Sequence, residues 1–311
     1  MNTARRFRIL GLLTALATIS VAFIPPQSAF ADTVSITPPK FELFGNPGDV
    51  LTEKIKVNNP NTSSVTYSTT VEDFTAAGDE GGVEFQENPD APTTAFSLAK
   101  WVTVSPKTFS VPANDSQTVD VTIRIPQTAE PGSHFASVQV VAGSDAEVGG
   151  SASVQSKLNS LILLRVSGTL TEKLSVDQFY TDNSFYSGGP VTIKLRTKDE
   201  GNVHLAPTAT AVITDTFNHK VAELSFPTSN VLPGSARLVQ TTWDSHTLIG
   251  KYTITLLATY GDSKQPLTAT TVFYVFPTWL LITIGVVVLF IVFFTTQRKR
   301  LRKMLHSLTR D

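Results

Sequence analysis

Residues 119–125 read Val-Asp-Val-Thr-Ile-Arg-Ile, and this alternation constrains the chain more than any other feature. Side chains along a strand point to opposite faces in turn, so Val119, Val121, Ile123 and Ile125 share one face and Asp120, Thr122 and Arg124 the other. Such a segment is a half-buried strand of an antiparallel sheet. Pro126 ends it, because proline has no N–H for the ladder. Pro131-Gly132 then predicts a turn, and His134 to Val140 the returning strand. Upstream, Trp101 to Val104 reads as a shorter strand stopped by Ser105-Pro106. Short strands at close spacing with turn residues between them predict an antiparallel sandwich and an all-β fold class.

The plan occurs twice. "LTEKIKVNNPNTSSVTYSTTVEDF" gives strand, turn and strand, and "VTIKLRTKDEGNVHLAPTATAVITDTF" repeats that order. Later, "VPANDSQTVDVTIRIPQTAEPGSHFASVQVV" corresponds to "VLPGSARLVQTTWDSHTLIGKYTITLLATY". Two copies of one sandwich explain this most simply. The expected domains are 34–168 and 169–276. The Gly/Ser-rich stretch 142–153 is expected to be a hairpin loop inside the first domain, because the apolar run "LNSLILLRVSG" follows it and reads as that domain's last strand.

The two ends predict a location. Arg5, Arg6 and Arg8 precede an apolar run from Ile9 to Ile24, and Ala29-Phe30-Ala31 follows. A basic region, an apolar region and a small-x-small site predict a signal peptide over 1–31. Near the other end, "WLLITIGVVVLFIVFF" carries no charge. With its flanks it predicts a transmembrane helix over 277–296, since a bilayer core takes about 20 apolar residues. Aromatic residues crowd its start, and five cations in the six positions 298–303 follow, as on the cytoplasmic side of a span. The expectation is a single-pass plasma-membrane protein with an extracellular N-terminal ectodomain and a basic cytoplasmic tail at 297–311.

Charge excludes one class of partner. The first 31 residues hold three arginines and no acid, and the tail from Arg298 holds six Lys/Arg and one acid, which leaves about −9 for the rest. Nucleic acid needs a basic surface, so no nucleic-acid partner is expected. The chain has no cysteine. Many exported sandwich domains are cross-linked by disulfides, so an exported chain without any points to a bacterial surface. It also excludes thiolate chemistry.

Chemistry is sparsely encoded. No two of His134, His204, His219 and His246 have the spacing of a helical zinc pair, and no nucleophile elbow or phosphate loop occurs. No metal, cofactor or enzymatic activity is expected. The stretch 72–90 is richer. Its acids Asp73, Asp79, Glu80, Glu84 and Glu87 are the candidate binding residues, with Asp90 beside them. Oxygen ligands on a flexible loop suit calcium, but the spacing is not that of an EF-hand. Paired carboxylates also serve glycoside hydrolysis, where their separation decides the mechanism. The plainer expectation is a solvated loop that can be neutralised at little cost. Trp101 and Trp243 occupy related places in the two halves and are expected to plug the two cores.

Several short stretches resemble Gram-positive cell-surface proteins of the WxL-interacting type. They are Phe41-Glu42-Leu43 with Pro47-Gly48-Asp49, Val57-Asn58-Asn59, and Pro131-Gly132-Ser133-His134-Phe135-Ala136. The resemblance implies two tandem immunoglobulin-like β-sandwiches and a C-terminal membrane anchor. It also implies peptidoglycan binding by the first domain and host-ligand binding by the second. The expected function is a membrane-anchored bacterial surface protein that binds peptidoglycan, another cell-wall polymer or partner surface proteins. An envelope chaperone acting by strand pairing is the alternative, and an envelope hydrolase a third reading.

Overall fold

The computed structural model describes residues 34–86, 93–143, 157–245 and 248–308. The expected signal peptide, Glu87, Asp90, His246 and most of the 142–153 loop lie outside the described residues. Strands dominate, and one long helix, α1 (Thr278–Leu308), closes the chain.

The first sandwich packs two sheets. One has the order β1-β3-β8-β6, from β1 (Ser35–Thr37), β3 (Val50–Asn59), β8 (Asp115–Arg124) and β6 (Val102–Ser105). The other runs β2-β10-β9-β4-β5, from β2 (Lys40–Gly45), β10 (Lys157–Val166), β9 (Gly132–Ala142), β4 (Val65–Ala77) and β5 (Gly82–Phe85). β7 (Thr108–Val111) also pairs with β4. The alternating stretch from Val119 to Arg124 lies in β8, where Val119, Val121 and Ile123 are fully buried and Asp120 and Arg124 exposed. Each such side chain contributes roughly 1.5–3 kcal/mol of burial. They meet Ala136, Val138 and Val140 of β9 and Ile162 and Leu164 of β10 in one core.

The second sandwich repeats this construction. One sheet has the order β11-β13-β16, from β11 (Leu174–Thr181), β13 (Val191–Asp199) and β16 (Ala236–Trp243). The other is β12-β18-β17-β14-β15, from β12 (Phe185–Tyr186), β18 (Gln265–Val275), β17 (Gly250–Tyr260), β14 (Thr208–Thr214) and β15 (Lys220–Ser225). In both sandwiches the opening segment crosses between sheets and closes parallel to the last strand. Phe41 stands opposite Ile162 in the first, and Phe185 opposite Tyr274 in the second. The fold is thus two immunoglobulin-like β-sandwiches in series.

α1 follows β18 after only Phe276 and Pro277. Its stretch Thr278–Arg298 is long and apolar enough to cross a membrane by length and composition, with a mean hydropathy of 2.6. The helix does not stop at 296. It runs on to Leu308 through the basic segment, because Arg, Lys, Leu and Met are good helix formers and no Gly or Pro interrupts them.

Candidate functional site

The acidic stretch is a hairpin rather than a loop. β4 continues to Ala77, turns at residues 78–81 and returns as β5, with Phe74 opposite Phe85. The cause is apolar: Phe74 joins Phe135 and Leu163 in a small cluster on the outer face of the first sandwich, and Val83 and Phe85 pack against it. The candidate acids diverge. Asp73 turns to a neighbouring loop, where its Oδ1 accepts the N–H groups of Leu98 and Ala99 at 2.7 and 2.6 Å. Asp79 turns to the second sandwich and accepts from Arg196 Nε at 2.9 Å. Glu80 and Glu84 are exposed, in the turn and on β5. No group of three His, Asp or Glu side chains able to hold a metal occurs among the described residues.

Asp73 leads to the feature that sequence reasoning placed differently. By fixing two successive N–H groups it holds the 3-10 turn Ala99–Trp101, while Leu98 is fully buried beneath it. Trp101 therefore lies at the rim of the core, partly buried, rather than inside it. Trp243 is buried, against Tyr252 and Phe273. Against the Trp101 ring, at 4.5 Å between centroids, lies His134 of β9. His134 is 97% buried by its 3% exposure, and its ring nitrogens face two backbone carbonyls, Ser97 O at 3.2 Å and Glu130 O at 2.9 Å. It braces two loops and backs the tryptophan.

Together these residues floor a cleft of about 470 Å³, edged by exposed Thr93, Thr94, Lys100, Thr128 and Glu130. An aromatic floor with hydroxyl, ammonium and carboxylate groups at its edges suits a flat, hydroxylated ligand held by stacking and hydrogen bonds.

A second group of residues, also missed from sequence, locks the sandwiches together. Gly132 has φ 134°, and a Cβ there would come within 2.7 Å of Asn202 O. That approach lets Ser133 N donate to Asn202 O at 2.9 Å. Asn202 in turn bonds Pro131 O, Thr169 O and Thr171 N at 3.1, 3.1 and 2.7 Å. Arg165 of β10 bonds Glu172 at 2.7 Å and Asp262 at 3.0 Å. Arg196 also pairs with Asp177, and Asn230 donates to Glu42 at 2.7 Å. Leu232 covers the Phe74–Phe135 cluster.

Two titratable groups sit in this joint. His204 is pushed down to about 4, first by burial, with Glu42 opposing and Arg165 and Lys40 adding to it. Asp199 shapes the turn that carries Asn202 and His204, its Oδ1 accepting Gly201 N–H at 2.8 Å. Its Oδ2 is buried without a partner, and burial pushes the carboxyl up to about 7. The sequence signal for the joint was the pair of turns, 131–134 and 199–204. Nothing in either one says that it faces the other.

Residues 41–188 match the Fn3-like domain family. That range begins in β2, takes in the rest of the first sandwich, enters the second at β11 and ends just after β12. No curated protein matches the chain. Among solved structures it is similar to the class 5 fimbriae chaperone CfaA, at 13% identity over 78% of this chain and 99% of that one, with a TM-score of 0.42. It is similar also to the CupB2 chaperone of Pseudomonas aeruginosa, at 10% identity over 78% and 100%, TM-score 0.35. The E. coli chaperone DraB is matched at 11% identity over 78% and 96%, TM-score 0.38.

Proposed function

We propose that this chain is a non-enzymatic, membrane-anchored surface protein whose first sandwich binds cell-wall glycan, or a surface partner carrying it, through the cleft beside Trp101. The observation that carries the reading is the partly buried tryptophan at the rim of the core, beside a turn fixed by Asp73 and against the buried ring of His134. A ring that could have been buried is presented instead. The resemblance of the Phe41–Leu43 and Pro131–Ala136 stretches to the WxL-interacting type supports a peptidoglycan-like ligand. The apolar helix and the basic residues after it support a single pass through the plasma membrane with the sandwiches outside. Binding rather than catalysis fits acids that diverge, Asp73 to the Leu98–Ala99 turn, Asp79 to Arg196, and Glu80 and Glu84 to solvent.

The test uses the full chain in detergent and isolated wall sacculi. The protein should co-sediment with sacculi, and Trp101→Ala should weaken binding by about 2 kcal/mol or more, as for a central aromatic anchor. The ring also packs against the core, so the thermal transition should fall, while the protein stays folded at the temperature of the binding assay. If wild type stays in the supernatant while folded, the glycan reading is wrong.

A second reading is strand pairing with partner subunits. It is favoured by one observation: among the described residues β15 is a sheet edge that pairs only with β14, and it leaves Val221 44% exposed. A partner strand could extend the sheet there. Lys220→Pro with Glu223→Pro would abolish such pairing and leave sacculus binding intact.

A further inference from the structure

We infer that the α1-proximal end of the second sandwich rests in the headgroup layer of the bilayer, with Phe217, Ile249, Phe185 and Phe276 as its contact rim. The inference rests on the reading of α1 as a membrane span. Register brings the rim together. Gly250 of β17 stands opposite Val275, the last residue of β18. Phe185 stands opposite Tyr274, and Thr214, at the end of β14, opposite Thr253. The turn after β14 is tied to the start of β17 by Thr216, whose Oγ1 donates to Lys251 O at 3.1 Å. All these ends therefore lie on one side of the sandwich, the side from which the helix leaves.

That side is unusually apolar for a free surface. Phe217 is 78% exposed, Phe185 68%, Ile249 49%, Phe276 45% and, on the first turn of α1, Trp279 58%. Phe185, Tyr274 and Phe276 stack in a row, with centroids 5.4 and 6.5 Å apart. Of the other large apolar residues exposed on this sandwich among the described residues, Val221 and Val272 lie in the same half. Only Leu257 lies toward the far end.

Chain geometry explains the placement. Two residues, Phe276 and Pro277, separate β18 from α1, and two residues reach at most about 7 Å. A sandwich on so short a lead cannot stand clear of a bilayer that takes up the helix. Aromatic side chains favour that boundary, where a ring meets acyl chains and its edge meets water. The charges around the rim are mixed: Lys251 and Lys220 against Asp215 and Asp182, with His219 beside Asp215. Contact should therefore follow apolar burial, need no anionic lipid and persist in salt. A fixed seat would set the height and tilt at which the rest of the ectodomain is presented.

The chain lacks cysteine, so single cysteines can report position. Full-length Phe217→Cys, Ile249→Cys, Phe44→Cys and Gly285→Cys would each carry a fluorescent label in phosphatidylcholine nanodiscs holding one chain, which excludes a second copy as the occupant. Nitroxide lipids, labelled at the headgroup or deep in the acyl chain, act as quenchers. Headgroup nitroxide should quench 217 and 249 at least threefold more than 44, unchanged between low and high salt. Acyl nitroxide should quench 285. If 285 is quenched while 217 and 249 match 44, the span stands and the seated sandwich is wrong. If 285 is not quenched either, the span itself is wrong and the seat falls with it.

Discussion

Ser133 Oγ and His204 Nδ1 stand 2.7 Å apart across the two sandwiches, and the same oxygen accepts the His204 backbone N–H at 2.8 Å. With that N–H donating to it, the hydroxyl has its own proton free for Nδ1, which fits a neutral imidazole whose proton is on Nε2. Ser133 is 1% exposed and His204 is partly buried, so each is largely cut off from water when the other is removed. Ser133→Ala should cost about 1–3 kcal/mol, the penalty of buried groups left unpaired. Urea unfolding measures it. A loss below ~0.5 kcal/mol would mean that the joint carries no strain from this pair.

The joint should also answer to pH, through two groups of opposite sign. His204 is held near 4 in the fold, below its ordinary 6.5, so the unfolded chain binds the extra proton between these values. Its contribution is complete above 6.5 and is lost as pH falls toward 4. Asp199 is raised from 3.8 to about 7, so here the folded chain holds the extra proton. Its contribution is complete below 3.8 and is lost as pH rises through 7. Between 4 and 6.5 the two slopes oppose each other. Asp199→Asn should uncover a stability that climbs with pH over this range, and His204→Gln one that falls. Melting temperatures at pH 4.5, 5.5 and 6.5 read the slopes; parallel profiles for the two variants would contradict the assignment.

Asp79 was expected to be dispensable, and its bond to Arg196 changes that expectation. The pair is about a third exposed on each side, so its worth is that of a partly screened bridge. Asp79→Asn and Arg196→Gln should each cost about 0.5–1 kcal/mol, and a double-mutant cycle should show coupling. Glu80→Gln, with no partner across the joint, should fall within about 0.5 kcal/mol of wild type. Additive effects of the Asp79 and Arg196 changes would show that the bridge does not couple the sandwiches.

The alternation in β8 made the first sheet legible, and the repeated turns made the second sandwich legible, because a period of two is forced by strand geometry. β9 was harder. Its even residues, Ala136, Val138 and Val140, face the core, but its odd residues Ser133, Phe135, Ser137 and Gln139 are buried as well. The outer face is covered by the β4–β5 hairpin and the second sandwich, and a period of two says which residues share a face but not what covers it. The same gap misplaced 72–85. Its acids looked like a solvated loop, whereas Phe74, Val83 and Phe85 make it a strand pair folded against the sheet. Trp101 was misjudged for a related reason. An aromatic near a strand end usually plugs a core, and what holds this one at the rim is a carboxylate 28 positions earlier, Asp73, that sequence spacing does not connect to it.

That carboxylate should decide how the Trp101 ring is presented. Asp73 Oδ1 accepts two successive N–H groups, at 2.7 and 2.6 Å, on the turn that presents Trp101. Asp73→Asn keeps an acceptor oxygen for that position and should leave the turn in place. Asp73→Ala removes it and leaves two N–H donors at the edge of the core, a cost of about 1–3 kcal/mol if neither finds water. The turn would then relax, and the Trp101 ring would leave its contact with His134. Tryptophan fluorescence should shift to the red for Asp73→Ala and not for Asp73→Asn, and sacculus binding should fall in the same order. Should both variants bind as wild type while the alanine variant is destabilised, Asp73 serves the fold alone and the cleft does not depend on how the tryptophan is held.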